Sequence, residues 1–371
     1  MIYLNNAATS YPKPQCVLDA HAQAHALPPA AQYRSAGGSM PFDECRAAIG
    51  ELMGVRNSMR IFFTSGATEA MNGVLRGLAI QGKRFAVTES EHNCVLRPVY
   101  NLFEKPVILP CDKFGHVDMD AARALIDDSV CAVVVNHTSN VTGAVQDMAV
   151  LSEMAHAVGA YMIADVSQSL GALPVRIDEW KVDAAVFTGH KALLGPQGTG
   201  GFYLREGINM RPLLFGGTGR DSARLIYDDG NYEYEPGTRN APGIQALCAG
   251  ARYVIACGVD SISHRENRIA KLIADGLREL PGVTVYGRPG ESGFGSIVSF
   301  NANGFAPADI GYILSGAYGI TVRTGMQCAP LICARIGADK GVVRVSPGPF
   351  TTEEDAQAFL RAMKEILGAN A

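Results

Sequence analysis

The feature that most constrains this chain is a series of short apolar, β-branched runs, each ending in small or polar residues and set apart by stretches of helical periodicity. The runs cover residues 60–64, 84–88, 130–136, 161–165, 183–188 and 200–204. They lack the strict alternation of a strand with one wet face, so they predict a mainly parallel sheet buried on both faces. Helical patterns over 68–80, 94–103, 147–158 and 242–257 supply covering layers, and the whole reads as an α/β fold. From about residue 261 the texture changes. A charged helix over 261–279 leads to strands at 283–286 and 296–300, a helix from 307, a strand at 320–323 and a closing helix from 352. That mixture predicts a second, smaller α+β domain with its boundary near residue 260.

Composition serves mainly to exclude. With 371 residues, 47% hydrophobic and 18% charged, the chain is long enough for two domains. Lys and Arg total 32 against 36 Asp and Glu, and a net charge of -4 argues against a protein built to bind nucleic acid or an anionic membrane surface. No apolar stretch has the length of a bilayer span, and the start, Met1-Ile2-Tyr3-Leu4-Asn5-Asn6, does not read as a secretory leader. Nine cysteines without paired spacing read as thiols in a reducing compartment, so a cytoplasmic protein is expected. Cys16, Cys45, Cys94, Cys131, Cys248 and Cys257 are expected to pack as small core hydrophobes.

Three segments carry chemistry. In Thr188-Gly189-His190-Lys191 an apolar strand runs into a lysine, with a glycine-rich return behind it. Burial there would lower the lysine pKa and free its amine as a nucleophile, although GHK alone also suits a surface loop. Upstream, Tyr161-Met162-Ile163-Ala164-Asp165 places a carboxylate at the carboxyl end of a strand, where α/β folds build ligand crevices. Alone, Asp165 reads equally as a helix cap or turn residue. A pyridine-based cofactor needs both groups: a carboxylate on its ring nitrogen and a Schiff-base lysine. Finally, Thr64-Ser65-Gly66-Ala67-Thr68 turns from a strand into a helix, and its free N–H groups suit an anion. It is neither a Walker A loop nor a GxGxxG turn.

In order along the chain these segments, with Glu91-His92, Ser139-Asn140-Val141-Thr142-Gly143 and the Asp165-to-Gln168 step, resemble class V pyridoxal-phosphate enzymes, most nearly the cysteine desulfurase and selenocysteine lyase group. Leu4–Thr9, Glu235-Pro236-Gly237-Thr238 and Arg323-Thr324-Gly325-Met326-Gln327-Cys328-Ala329-Pro330 extend the likeness over nearly the whole chain. The resemblance implies the fold type I PLP-dependent transferase architecture, with a large cofactor-binding domain over 15–259 and a small α+β domain of 1–14 plus 260–371. It implies Lys191 as the Schiff-base lysine, Asp165 at the pyridine nitrogen, His92 stacked on the ring, and Gln168 at the phenolic oxygen with Asn140 nearby. Ala67, Thr68, Thr188 and His190 would grip the phosphate, with Thr238 reaching it from a second subunit of a homodimer. Asn140, Arg323 and Arg344 would bind a small amino-acid substrate, Arg323 also positioning the cysteine loop. Arg344 lies inside an apolar strand, where a guanidinium needs a carboxylate, from the substrate or from a structural ion pair. Cys328 would accept sulfur from L-cysteine as a persulfide, releasing L-alanine, and pass it to an acceptor protein.

The sequence departs from that family at three places. Gly37, Gln327 and Cys333 stand where relatives tend to carry histidines that would move protons or tune the thiol. Their loss keeps other readings open: a selenocysteine lyase, a C–S β-lyase, an aminotransferase or epimerase, or a non-catalytic partner protein on the same fold. Cys328 and Cys333 do not compose a metal site, because no further cysteine or histidine pair accompanies them.

Overall fold

The computed structural model describes residues 1–26, 41–217, 223–226 and 233–368. The chain opens with a short strand β1 (Ile2–Tyr3) and helices α1 (Gln15–Ala26) and α2 (Pro41–Met53). Strand β2 (Ile61–Thr64), helix α3 (Ala67–Leu78), strand β3 (Arg84–Thr88), helix α4 (Asn93–Leu102) and strand β4 (Val107–Leu109) follow. Next come α5 (Met119–Leu125), β5 (Val130–Asn136), α6 (Met148–Ala157), β6 (Tyr161–Asp165), β7 (Ala184–Thr188) and β8 (Gly200–Leu204). Helices α7 (Ala241–Cys257) and α8 (Val259–Arg278) lead to β9 (Val283–Tyr286), β10 (Val298–Ala302), α9 (Pro307–Tyr318), β11 (Ile320–Thr321) and β12 (Arg323–Gly325). The chain closes with α10 (Pro330–Arg335), β13 (Val342–Val345) and α11 (Glu353–Ile366).

Seven strands form the main sheet in the order β2-β8-β7-β6-β5-β3-β4. All neighbours from β7 to β4 are parallel, and β8 runs antiparallel to both β2 and β7. β5 explains why strict alternation was missing from the sequence. Its Val130, Val133 and Val135 pack with α2, α5, α6 and α7 on one face, while Cys131, Ala132 and Val134 pack with α3 and α4 on the other. The expected α/β fold with a mainly parallel sheet is what the chain adopts. Side-chain caps start several of its helices: Asp118 accepts from Ala121 N at 3.0 Å, Asp147 from Val150 N at 3.1 Å and Asn240 from Gly243 N at 3.0 Å.

A four-stranded antiparallel sheet, β12-β13-β10-β9, packs with α8, α9 and α11 around Phe300, Phe359 and Val343, and Leu4 joins this core from the amino terminus. Two sequence expectations shift here. The strand expected over 320–323 is two strands, because Ile320 and Thr321 pair with β1 while Arg323 pairs with Arg344 in the four-stranded sheet. The strand expected at 296–300 begins at Val298, because the Ser296 hydroxyl is bound to the Glu266 carboxylate on α8. The edge strand β4 was not expected at all; three residues are too few to show a period.

Helix α7 lies directly on the loop that follows β7. A Cβ built at Gly250 would collide with Leu193 O and come within 3.2 Å of Gly195 N, both main chain, so neither can swing away. Gly250→Ala should therefore cost about 1–3 kcal/mol, read as a lowered midpoint in thermal or denaturant unfolding. Gly316, inside α9 with no neighbouring atom within 4 Å of its would-be Cβ, is the counterpart: Gly316→Ala should leave stability unchanged or raise it by up to about 1 kcal/mol.

Candidate active site

The carboxyl ends of β2, β3, β5, β6 and β7 open into one cavity of about 420 Å³, continuous with solvent at its mouth. Ala67, Thr68, His92, Asn140, Asp165, Gln168, Thr188, His190, Lys191, Arg323 and Arg344 all line it. Residues up to 277 positions apart in the chain thus meet at the crevice where α/β sheets bind ligands.

Lys191 follows the end of β7 and makes no ion pair among the described residues. Burial lowers its pKa to about 8, with Arg344 and Arg323 acting in the same direction against the opposing pull of Asp165. The loop that carries it is held from behind by the amino-terminal segment. His190 O accepts from Ser10 N at 3.0 Å, Thr9 Oγ1 at 3.1 Å, Ser10 Oγ at 3.1 Å and Lys13 Nζ at 3.0 Å. Asp165 is fixed by Ser167 N at 2.9 Å on one oxygen and approached by Cys94 Sγ at 3.7 Å on the other. Cys94 was expected to be a core hydrophobe; it is buried, yet it lines the cavity and faces the carboxylate. Cys16 and Cys257, also expected in the core, are exposed, on α1 and at the end of α7.

His92 caps α4, its Nδ1 accepting from Cys94 N at 3.0 Å, which leaves the ring proton on Nε2. Burial, aided by Lys191, lowers its pKa to about 4, so the imidazole is neutral. Beneath it lies Glu91, fully buried, with Oε1 accepting from the Thr88 hydroxyl at 2.7 Å and Asn136 N at 2.8 Å while Oε2 has no partner. Burial raises this carboxyl to about 8. Gln168 is oriented by donation to Ala7 O at 3.1 Å.

At the β2 end, the first turn of α3 has no side-chain cap on its amino-terminal N–H groups, and Ala67 and Thr68 face the cavity there. Thr188 and His190 lie across from them, His190 Nδ1 being buried without a partner. These open donors suit a phosphate. A lysine amine, a carboxylate at a strand end, a neutral imidazole and an uncapped helix start are together the set pyridoxal phosphate needs, so the residues present fit that cofactor.

The opposite wall holds the cations. Arg344 on β13 is 0% exposed and has no carboxylate partner. Its NH1 donates to Asn140 O at 3.0 Å, its NH2 to Asn5 Oδ1 at 3.4 Å, and its Nε is unpartnered. Burial lowers its pKa to about 9, which still leaves a cation at neutral pH. Among the described residues no ion pair accounts for it, so the cavity presents a guanidinium suited to a carboxylate. Asn140 in turn donates to Gln327 O at 2.7 Å, and its own Oδ1 is unpartnered.

Two expected residues are not brought into this cavity. Cys328 faces an outer groove with Asn72, Arg76, Arg97 and Asn101, which meets the inner cavity along Thr68, His92 and Cys94. Arg323 stands between, its NH2 3.0 Å from Cys328 Sγ. Thr238 lines a neighbouring cavity that shares Ser65, Glu69 and Gly198 with the first.

The cysteine loop is built without the imidazoles. Gln327 and Cys328 both take left-handed backbone (φ 52° and 59°). Gln327 Nε2 holds the turn by donating to the carbonyls of Gly325 at 3.1 Å and Arg323 and Val342 at 3.3 Å, and Asn93 N donates to Cys328 O at 2.7 Å. Cys333 is buried, with its Sγ 3.5 Å from Met326 O and its pKa pushed to about 11 by burial, so it stays a thiol. Gly37 lies outside the described residues.

With the geometry in place, comparison defines its class: the chain belongs to the Aminotransferase class-V family, which it matches over residues 2–359. It is 32% identical to a probable cysteine desulfurase of Methanothermobacter thermautotrophicus, over 84% of this chain and 80% of that one. A probable cysteine desulfurase of Mycolicibacterium paratuberculosis is 31% identical over the full chain, which spans 56% of that relative's length. Among solved structures, the apo cysteine desulfurase of Thermococcus onnurineus superposes with a TM-score of 0.90 at 28% identity, covering 100% of this chain and 95% of that one. A cysteine desulfurase of Escherichia coli gives 0.88 at 25% identity, with the same coverage. The family resemblance read from the sequence is borne out.

Glu91 makes the site pH-sensitive in a checkable way. Its folded pKa of about 8 lies above the ordinary 4.5, so the folded state holds the extra proton. The stability this brings is complete below about 4.5 and is lost as pH rises through about 8. Relative to Glu91→Gln, the parent protein should therefore lose thermal stability between about pH 5 and pH 9, measured as the difference in Tm across that range.

Proposed function

We propose that the protein is a pyridoxal-phosphate-dependent cysteine desulfurase, taking sulfur from L-cysteine to leave L-alanine and a persulfide on Cys328. The observation that carries this reading is the fully buried Arg344 guanidinium, without a carboxylate partner, in the same cavity as Lys191 and Asp165. It asks for an anionic substrate beside an amine-bearing cofactor site, and Cys328 lines the outer groove that adjoins that cavity.

Lys191 would carry the cofactor's aldehyde, Asp165 would hold the proton on its pyridine nitrogen, and His92 would stack on its ring. Gln168 and Asn140 would hold its phenolic side, and Ala67, Thr68, Thr188 and His190 its phosphate. When bound, pyridoxal phosphate supplies an electron sink for the pair released as an amino acid's Cα–H bond breaks. The chain's own residues do the rest. Arg344 and Asn140 bind the substrate carboxylate and amino end. The Lys191 amine, once free, takes the Cα proton. The Cys328 thiolate attacks the substrate sulfur, so that an S–S bond forms as the C–S bond breaks and the carbon, gaining the electron pair and a proton, becomes the methyl group of alanine. Arg323, already on Cys328 Sγ, steadies that sulfur.

The decisive assay is anaerobic incubation with L-cysteine and reductant, with alanine, sulfide and pyruvate quantified together. Alanine equal to sulfide without pyruvate is the expected result. Lys191→Ala should abolish turnover, Arg344→Met should raise KM for cysteine by about tenfold or more, and Cys328→Ala should stop persulfide formation with cofactor absorbance retained. Pyruvate with ammonia, unaffected by Cys328→Ala, would instead identify a C–S β-lyase.

We also propose that two copies share sites and that an acceptor protein takes the sulfur, in the cytoplasm. Thr238 stands beyond the phosphate end of its own cavity, and the neighbouring Leu214 and Phe215 are 53% and 56% exposed, a large apolar surface for a lone chain. Sedimentation velocity should return a dimer. A monomer with full activity would remove the shared-site reading.

A further inference from the structure

A second, smaller cavity adjoins the first at Lys191. Ala7, Thr138, Gln168 and Lys191 line both cavities and form the wall between them. At the far side stands Glu266 of α8, 6% exposed, its carboxylate accepting only from Ser296 Oγ at 3.0 Å. No cation lies within ion-pair distance of it among the described residues. Its charge is acted on by burial, by the Ser296 hydroxyl and by Arg265 on its own helix, and by no charged group of the elements packed against α8. The lining is mixed: Leu173, Ile297, Pro347 and Pro349 make much of it apolar, and two polar atoms on it are unbonded, Thr138 Oγ1, in a residue 4% exposed, and Asn267 Oδ1. Ordered water completes buried polar groups of this kind.

The surroundings of Lys191 narrow what can exchange protons with it. His92 and His190 are held neutral, with pKa values lowered to about 4 by burial. Cys94 is pushed well above its ordinary value by burial. Arg323 and Arg344 are cations, and Asp165 is bound to Ser167 N and Cys94. Glu91 lines neither cavity. On the small cavity itself Glu266 is the one carboxyl among the described residues, and burial raises it to about 8, level with Lys191. Lys13, bound to Ser10 Oγ at the rim, is lowered by burial to about 8, and Glu69 on the large cavity is bound to Ser65.

We propose that the small cavity holds water through which Glu266 exchanges protons with Lys191, the Thr138 hydroxyl joining the two compartments. The transfer is a plain relay. The Glu266 O–H bond breaks as a water O–H bond forms, each bridging oxygen passes one proton on, and an N–H bond forms at Lys191, with no change in oxidation state. Glu266 acts through water and does not touch the substrate. The inference rests on the reading of Lys191 as the group that takes the Cα proton, and it does not depend on sulfur transfer.

The test has two arms. In the cofactor-free protein, the infrared difference between parent and Glu266→Gln should show a neutral carboxyl stretch at pH 6 that is gone at pH values about two units above neutral; a carboxylate already ionised at pH 6 overturns the proposal. In the loaded enzyme, exchange of the L-alanine Cα proton into D2O is followed by NMR, a reaction that needs neither cysteine nor Cys328. Glu266→Gln should slow this exchange by about tenfold or more with cofactor absorbance unchanged, and Glu266→Asp should restore part of it. Exchange within about twofold of the parent rate overturns the relay. A parent that binds the cofactor but exchanges nothing overturns the role of Lys191, and the relay with it, whereas failure with cysteine alone touches only the desulfurase reading.

Discussion

The site is organised around one buried positive charge. Removing a guanidinium from water without a counter-ion is expensive, and among the described residues Arg344 donates only to neutral acceptors, Asn140 O and Asn5 Oδ1. Those acceptors belong to segments more than a hundred residues apart. Asn5 comes from the amino-terminal segment, and Asn140 from the loop after β5, whose side chain reaches on to Gln327 in the cysteine loop. Solvating Arg344 by main chain and amide therefore draws three loops to one point. The charge left over is what a substrate carboxylate would neutralise.

The amino-terminal segment plays the complementary part on the other wall. Thr9, Ser10 and Lys13 converge on one carbonyl, that of His190, and Ser10 Oγ also binds Lys191 O at 2.8 Å. A loop rich in glycine has much conformational freedom to lose. Here that freedom is restrained by hydrogen bonds from outside the loop, not by the loop's own residues. Burial then leaves the Lys191 side chain without an ion pair, and the same dehydration that makes the lysine costly to charge makes its amine available near neutral pH.

Much of this was legible before any coordinates. Strands buried on both faces announce themselves by unbroken β-branched runs, and β3, β5 and β6 occupy the expected residues. Lys191, Asp165 and the Ser65–Thr68 turn were readable because each sits where a strand ends, a position local sequence reports well. Long-range meetings were not readable. Cys94 looks like any buried thiol until β6 sets Asp165 opposite it, 71 residues later. Glu266 lies on a helix whose charged pattern reads as a solvated face, and only packing against Ser296 shows that it points inward. The separation of Cys328 from the inner cavity was equally hidden, because it follows from a left-handed turn at Gln327 and Cys328, a conformation that their side chains do not advertise.

That turn has a further consequence for how the sulfur-bearing loop is steered. Towards the large sheet its anchors are the Asn93 amide, at the start of α4, and the Arg335 guanidinium paired with Glu89 at 2.6 and 2.7 Å. Both fasten to the segment that leaves β3 and carries His92. Towards the small sheet Gln327 binds Arg323 O on β12 and Val342 O on β13, and Arg323 meets the sulfur itself. The sulfur-bearing turn is therefore a staple between the two sheets, and any rotation of one against the other has to pass through the turn that carries the nucleophile.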